Sequence, residues 1–104
     1  MFDVVNITGF QAFGNVDVNP TELLVNKLKE KPHFKLRRIQ KLDVTAKDVD
    51  TYITYLAESC GPHEGKTLNL HMGVGPNKVY FLENCGYNNK DFRIPDNNGY
   101  QCSK

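Results

Sequence analysis

The sequence predicts an α/β fold in which helices cover a mostly parallel sheet, and three observations lead to this prediction. Short apolar runs rich in β-branched residues alternate with segments of helical period, each helical segment opens with a helix-start signal, and the order up to Val74 is βαβαβ. Strands and helices that alternate in this way form a parallel sheet with crossover helices. We therefore expect a three-layer α/β/α sandwich, with residues 1–104 in one domain.

The first strand is predicted from Val4 to Thr8, because this run is short, apolar and bounded by a glycine. The stretch "GFQAFGN" that follows contains small and turn-forming residues and is predicted to be a loop. It also contains Phe10 and Phe13, two large apolar side chains with no evident core to join. What these two rings contact is the question that this part of the sequence raises.

The first helix is predicted to begin at Pro20 and to end near Lys31, before Pro32. Asn19 can accept hydrogen bonds from the first free amides, and Pro20 presets the first helical φ angle. Apolar residues at helical spacing form the stripe that we expect to pack on the sheet. They are Leu23, Leu24 and Leu28, with Val25 beside them.

The remaining elements follow the same alternation. A strand is predicted over Phe34–Val44, and a further strand over Leu68–Val74. Between them, Thr45 with Asp48 three residues later forms an approximate capping box for a helix that runs to about Ser59. Its apolar side is predicted to comprise Val49, Ile53, Leu56 and Ala57.

Beyond Gly75 the pattern changes. The run Val79–Asn84 could form one more strand, whereas the sequence after it is polar, rich in Asn and Gly, and without helical or strand period. We expect a long loop that packs against another part of the protein. No amphipathic helix follows to cover the second face of the sheet, so exposed apolar surface and self-association are expected.

Composition excludes several classes of function. The chain is 39% hydrophobic and 24% charged with a net charge of +1, which is typical of an ordinary soluble protein. The basic cluster Lys35–Lys41 alternates with apolar residues, which favours a strand with a solvated side over an anion or nucleic-acid site. No apolar run could span a bilayer, and the first residues lack the pattern of a signal peptide. We expect a cytoplasmic protein with no membrane or nucleic-acid partner.

Three cysteines, Cys60, Cys85 and Cys102, make an odd number. None lies two to four residues from another, and no pair of histidines at ligand spacing accompanies them, so the sequence predicts free thiols without a bound metal or other cofactor. Taken alone, Cys85 is predicted to be a buried structural thiol. Cys102 lies close to Lys104, where fraying is expected. His71 is more consistent with a hydrogen-bonded core histidine than with a base.

Two blocks of the sequence resemble the pyroglutamyl peptidase I family of cysteine peptidases. The first is "TGFQAFGNVDVNPTE", similar to a strand that leads into a Gly-Phe-x-x-Phe-Gly loop and an Asn-Pro helix start. The second is "HMGVGPNKVYFLENCGYNNKDFRIPDNNGYQ", which is similar to a His-x-Gly-Val strand, a glutamate-bearing strand and an Arg-x-Pro-Asp-Asn loop in the family's order. Together the blocks cover roughly half of the chain.

The resemblance implies an α/β/α sandwich of about twice this length that hydrolyses the amide bond after an N-terminal pyroglutamate. By motif position, Glu83 corresponds to the glutamate of a Glu, Cys and His catalytic set. Phe10 and Phe13 correspond to aromatic residues of the pocket for the flat pyroglutamate lactam, and Arg93 to an arginine for which oxyanion support is the expected role. Without the resemblance, each of these four residues would be an unremarkable loop or strand residue.

The resemblance also places the nucleophilic cysteine and the histidine after the Pro-Asp-Asn loop, in segments that the 104 residues do not contain. We therefore expect the N-terminal half of the family's domain, inactive when alone, because attack on the carbonyl requires a thiolate beside a base. The alternative is a non-catalytic module that retains the pyroglutamate pocket. A third hypothesis, that "GFQAFGN" is an anion loop, lacks the P-loop and dinucleotide spacings.

Overall fold

The computed structural model describes residues 2–31, 33–59, 65–75 and 78–102. Within them the chain order is βαβαβ, as predicted from the sequence. The elements are β1 (Val4–Phe10), α1 (Pro20–Glu30), β2 (Leu36–Leu42), α2 (Ala46–Ser59) and β3 (Thr67–His71). The strands β2 and β3 are shorter than the predicted ranges, while β1 extends two residues further.

The three strands form one parallel sheet in the order β2-β1-β3, so the first strand of the chain is the central one. Ile7 of β1 lies between Ile39 on one side and Leu70 on the other. A central parallel strand is covered on both faces, which explains why residues 6–9 of β1 are all buried. The basic cluster predicted to be a strand is the edge strand β2.

The two helices lie on opposite faces of the sheet. A Cβ atom at Gly9 would lie only 2.6 Å from the carbonyl oxygen of Thr21 in α1. The next residue, Phe10, packs against the buried cluster of Leu42, Tyr52 and Leu56, which joins β2 to α2. Since consecutive strand residues point to opposite faces, α1 covers one face and α2 the other. The α/β/α layering predicted from the sequence is therefore present, and the expectation that the second face lacks a covering helix is wrong, because α2 covers it.

Both helix starts follow the predicted chemistry. The Asn19 side-chain oxygen accepts a hydrogen bond from the Thr21 amide at 3.0 Å, and Pro20 occupies the first helical position. At α2, the Thr45 hydroxyl oxygen accepts a hydrogen bond from the Asp48 amide at 3.0 Å. The reciprocal half of the capping box differs, because the Asp48 carboxylate accepts from the Asp43 amide at 3.2 Å.

The stripe predicted for α1 is correct for Val25, which is buried, and for Leu28, which is half-buried, but wrong for Leu23 and Leu24. Leu23 and Leu24 are 52% and 48% exposed, whereas the buried residues of α1 are Thr21 and Val25, one turn apart. The reason is the close approach at Gly9, where Val25 Cγ2 lies 2.8 Å from the position of an added Cβ. Small side chains fit this contact and leucines do not, so the helix turns the leucine pair outward.

The prediction for α2 is correct for Val49 and Leu56 and wrong for Ile53 and Ala57, which are exposed. Tyr52, absent from the predicted stripe, is buried beside Leu56. Its ring supplies the apolar contact with β2, so the buried side of the helix is shifted by one residue from the predicted one.

The predicted strand Val79–Asn84 is not formed. These six residues lie outside the sheet with exposed side chains, Tyr80 among the most exposed. An alternating apolar run becomes a strand only when a neighbour completes its hydrogen bonds, and in the described part of the chain no strand lies beside it. Cys60 lies outside the described residues. Among those that are described, no helix is long and apolar enough to cross a membrane.

Candidate active site

The carboxyl ends of the three parallel strands meet at one edge of the sheet, which is where ligands bind in open α/β sheets. Here the loop after β1, the loop after β2 and a distant segment, residues 93–98, come together. We refer to this last segment as the 93–98 loop. Its contacts with the other two loops are made mainly by Asp96 and Asn97.

The carboxylate of Asp96 lies at the N-terminus of α2. Its Oδ2 accepts a hydrogen bond from the Ala46 amide at 2.8 Å, and its Oδ1 accepts from the amides of Asn98 and Tyr100, each at 2.9 Å. The bond from Ala46 is the main reason that the pKa of Asp96 lies below its ordinary value, although burial opposes it. A charged Asp96 therefore closes its own loop and caps α2.

Asn97 connects the 93–98 loop to both strand-end loops. Its Nδ2 donates to the carbonyl oxygen of Ala12 at 2.9 Å and to Oδ1 of Asp43 at 2.6 Å. Its backbone amide donates to the carbonyl oxygen of Val44 at 2.9 Å. Two loops that are separated by more than 30 positions in the sequence are thus joined through one residue.

The loop after β1 contains a tight turn over residues 13–16, which we call the Phe13 turn. Phe13 and Val16 exchange two backbone hydrogen bonds, of 3.1 and 2.7 Å, and Gly14 has a φ of +50°, in the left-handed region that favours glycine. The position of a Cβ on Gly14 lies 3.1 Å from Cδ1 of Ile94. The 93–98 loop therefore packs directly against the Phe13 turn.

The two phenylalanines singled out in the sequence have different positions. Phe10 is not in a loop, as the sequence suggested, but is the last residue of β1, with its ring packed on the core. It joins the core because β1 continues two residues beyond its predicted end. Phe13 is half-buried in the turn at the edge of the sheet.

Arg93 and Glu83 are both exposed. Arg93 precedes Ile94, so the contact between Ile94 and Gly14 brings its segment beside the Phe13 turn. Glu83 lies in the extended segment that was predicted to be a strand. In the part of the chain that the structure describes, no hydrogen bond or ion pair joins Glu83 to Phe13 or Arg93.

The described cysteines and His71 depart from their predicted environments. Cys85 is exposed and not buried, since the segment around it makes no sheet contacts. Cys102 is half-buried, and its carbonyl oxygen accepts a hydrogen bond from the Phe92 amide at 2.6 Å. His71 is hydrogen-bonded, with 2.7 Å between its Nδ1 and Thr8 Oγ1, but it lies at the edge strand and is exposed, so it is not a core residue.

Sequence reasoning missed the roles of Asp96 and Asn97. The signal was present in "PDNNG", because Asp and Asn side chains often bond to nearby backbone amides in turns. What the sequence could not indicate is that the partners of these side chains would include Ala12 and Ala46, which are far away in the chain.

The surface beside the 93–98 loop holds a shallow depression of about 240 Å³. Charged and polar side chains line it, including Lys47, Asp50, Lys90, Asp96 and Tyr100. It lies on the α2 side of the loop and contains none of the four residues predicted for the site. Among the described residues, no group of three His, Cys, Asp or Glu side chains is arranged to hold a metal ion.

The sequence profile of the pyroglutamyl peptidase family matches residues 3–104. A pyrrolidone-carboxylate peptidase of Coprothermobacter proteolyticus is 36% identical over 98 residues, which are 91% of this chain and 45% of that protein.

Solved structures show the same fold. The crystal structure of a pyrrolidone carboxyl peptidase from Fervidobacterium islandicum AW-1 matches with a TM-score of 0.78 and 24% identity, over 96% of this chain and 47% of that one. The pyrrolidone carboxyl peptidase of Thermococcus litoralis matches with a TM-score of 0.60 and 25% identity, over 98% of this chain and 46% of that one. The chain thus spans slightly less than half of each of these relatives. Because the family profile covers nearly all of the sequence, this chain belongs to the pyroglutamyl peptidase family.

Proposed function

We propose that this chain supplies the substrate-binding half of a pyroglutamyl peptidase, which removes an N-terminal pyroglutamate from peptides by cysteine-type hydrolysis. The observation that supports this most directly is the contact between the Phe13 turn and the 93–98 loop at the carboxyl edge of the sheet. Phe13 and the segment that carries Arg93 are far apart in the sequence. In the structure their segments meet at the edge of the sheet where α/β folds bind ligands.

The chemistry of the substrate suits these groups. The pyroglutamate lactam is flat, neutral and partly apolar, so a phenyl ring can form a wall against it. In our proposal Phe13 forms this wall, and Phe10 supports it from the core. Arg93 is a permanent cation at the rim, suited to stabilise the negative charge that develops on the carbonyl oxygen during attack.

Hydrolysis of the cysteine type needs a thiolate and a base. We expect both in the part of the family's domain that follows the Pro-Asp-Asn loop, as the family resemblance implies. We propose that Glu83 orients the histidine and favours its charged form, which in turn favours the thiolate. We propose that the protein acts in the cytoplasm, a reducing compartment in which a catalytic thiol stays reduced.

Kinetics on a joined protein test this proposal. The chain would be fused to the C-terminal half of the Coprothermobacter proteolyticus relative and assayed with a chromogenic pyroglutamyl amide. Glu83→Gln should lower kcat by orders of magnitude with little change in the binding of a pyroglutamate analogue, because a residue that orients the base acts on rate. Phe13→Ala should instead weaken binding. Phe10→Ala is the poorer probe, since it also removes a core side chain.

The 104-residue chain on its own is the control, and it should show no turnover above the buffer rate. Turnover by this chain that disappears in Cys85→Ser would contradict the proposal and identify Cys85 as a nucleophile. A joined protein that folds and binds pyroglutamate but never turns over would instead support the alternative, a binding module. Full kcat in Glu83→Gln would remove Glu83 from the catalytic set.

We also propose that the isolated chain self-associates. The support is the exposed apolar run of Val79, Tyr80, Phe81 and Leu82, each at least 63% exposed. Contiguous apolar surface of this kind drives association between copies. Sedimentation velocity should show species larger than a monomer that disappear in Phe81→Lys/Leu82→Lys. A wild-type chain that stays monomeric at high concentration would refute this.

A further inference from the structure

Asn97 forms hydrogen bonds to two loops that are separate from its own. Both hydrogens of its side-chain amide are used, one on the carbonyl oxygen of Ala12 at 2.9 Å and one on Asp43 Oδ1 at 2.6 Å. Its backbone amide donates to the Val44 carbonyl oxygen at 2.9 Å. An asparagine amide has two donor hydrogens, so its donor capacity is fully used by groups outside its own loop.

Asp43, one of the partners of Asn97, is itself held in place by hydrogen bonds. Its Oδ1 also accepts from the Val44 amide at 2.9 Å, and its own amide donates to the Asp48 carboxylate at 3.2 Å in the first turn of α2. The carbonyl oxygen of Asp43 accepts from the Thr45 amide at 2.8 Å. Asp43 is thus held against the helix start, and Asn97 bridges from it to the loop after β1.

The other end of the bridge is adjacent to the proposed pocket. Ala12, whose carbonyl oxygen Asn97 holds, is bonded directly to Phe13, and Asn97 follows Arg93 by four residues. The contact between Ile94 and Gly14 is the second point at which the same two segments meet. If the hydrogen bond to Ala12 were broken, the contact between Ile94 and Gly14 would be left to hold the Arg93 segment beside the Phe13 turn.

We propose that Asn97 is a positioning residue that sets the distance between the Phe13 turn and the 93–98 loop, and thereby the affinity of the site for pyroglutamate. This inference rests on the proposed function for the identity of the ligand. Asn97 need not touch the substrate, because its amide is fully used by Ala12 and Asp43. Its effect is on the geometry of the groups that do.

The first test uses Asn97→Asp in the 104-residue chain, with binding of L-pyroglutamate followed by NMR titration. At pH 7 the new carboxylate faces the Asp43 carboxylate and the Ala12 carbonyl oxygen, so attraction becomes repulsion at both ends. Loss of the two hydrogen bonds should weaken binding by about tenfold.

A swap variant is the matched control. In Asn97→Asp/Asp43→Asn the donor and acceptor exchange places, so the link between positions 97 and 43 returns while the bond to Ala12 stays broken. Its affinity should lie between those of wild type and Asn97→Asp, because only one of the two links is restored. A single variant with wild-type affinity at pH 7 overturns the proposal, and so does a swap variant with full wild-type affinity, because it still lacks the bond to Ala12.

Amide hydrogen exchange gives a readout that needs no ligand. Asn97→Ala should speed exchange of the Phe13 and Val16 amides about tenfold, while the amides of Ile7 in β1 and Val25 in α1 keep their wild-type rates. Equal acceleration at all four sites would indicate general destabilisation and overturn the proposal, as would no change at Phe13 and Val16. If wild type fails to bind L-pyroglutamate, the pocket under the proposed function fails, and the exchange rates still decide whether Asn97 positions the turn.

Discussion

Residues 4–71 and residues 72–102 are ordered by different means. The first region contains all five helices and strands and every residue that is buried in the described chain. The described part of the second region, residues 72–75 and 78–102, contains no helix or strand. It meets the first at discrete points, among them the hydrogen bonds of Asp96 and Asn97, the ion pair between Lys90 and Asp50 at 3.7 Å and the contact of Ile94 with the Phe13 turn. One region is held by burial and sheet bonding, the other by contacts at discrete points.

Because of this difference, the stability of the chain and the geometry of the site depend on different residues. Hydrophobic burial contributes most of the free energy of folding, so the first region should determine the stability of the chain. Exposed hydrogen bonds each contribute about 0.5–1.5 kcal/mol at most, yet they fix where the 93–98 loop lies. Substitutions in the second region should therefore alter the site more than the free energy of unfolding.

The sharpest comparison applies the same substitution in both regions. Leu56 is 6% exposed in the core cluster, and Leu82 is 91% exposed. Leu56→Ala should lower the free energy of unfolding by about 2–5 kcal/mol, because it removes buried methyl groups and leaves a cavity. Leu82→Ala should change it by less than about 0.5 kcal/mol. Urea denaturation of both variants measures this, and comparable losses would contradict the division into two regions.

Glycine offers a second matched pair. An alanine methyl at Gly9 would lie 2.6 Å from a backbone oxygen of α1, whereas none of the described atoms lies within 4 Å of a Cβ at Gly73. Gly9→Ala must push α1 from the sheet and should cost about 1–3 kcal/mol. Gly73→Ala should be neutral within about 0.5 kcal/mol. The two unfolding midpoints in urea provide the measurement, and a tolerated Gly9→Ala would show that the interface between β1 and α1 can relax.

Local chemistry explains why the fold could be predicted. The residues that start the helices, Asn19, Pro20 and Thr45, act within one helical turn of their own positions. The strand β1 could be predicted from its own apolar run, without knowledge of the strands that pair with it. The errors occur where a contact with a residue far away in the sequence decides which side chains are buried. Leu24 has the spacing of a buried residue, but the close approach of α1 to Gly9 buries Val25 instead.

The site was less predictable for the same reason. Phe13 and Arg93 were identified by resemblance to a family, and nothing in their spacing indicates that their segments meet. The bonds that bring them together run from Asn97 to Ala12 and Asp43, over separations of 85 and 54 residues. Glu83 and the segment around it lie outside the sheet, so its proposed role depends on partners that the described residues do not provide.

The helix caps test the first region at a smaller scale. Asn19 and Thr45 are 1% and 3% exposed, and each satisfies an amide at a helix start. Asn19→Ala and Thr45→Ala should each lower the free energy of unfolding by about 1 kcal/mol, less than the core substitution. Circular dichroism during urea denaturation measures both. Asn15→Ala, at an exposed position in the Phe13 turn, is the control and should have little effect.

The smallest expected effect concerns Asp96, where the two regions meet. Its pKa is lowered in the folded chain, mainly by the bond from the Ala46 amide. A carboxyl group with a lowered folded pKa stabilises the fold above its ordinary pKa, and this contribution is lost as pH falls through the folded value. Asp96→Asn should therefore be less stable than wild type at pH 7, and the difference should shrink as pH falls below the ordinary carboxyl value of about 4. Because the group is accessible to solvent and its charge is screened, we expect a difference smaller than that of either cap variant.

Urea denaturation at several pH values provides the measurement, with Asp91→Asn as the control. Asp91 is an exposed carboxylate of the same region, and its side chain makes no hydrogen bond to the described residues. Its variant should follow the wild-type curve at every pH. If the curves for Asp96→Asn and wild type stayed parallel down to pH 2, the charge of Asp96 would not stabilise the junction between the two regions. The 93–98 loop would then be held by Asn97, the Ile94 contact and hydrogen bonds of Asp96 that need no charge.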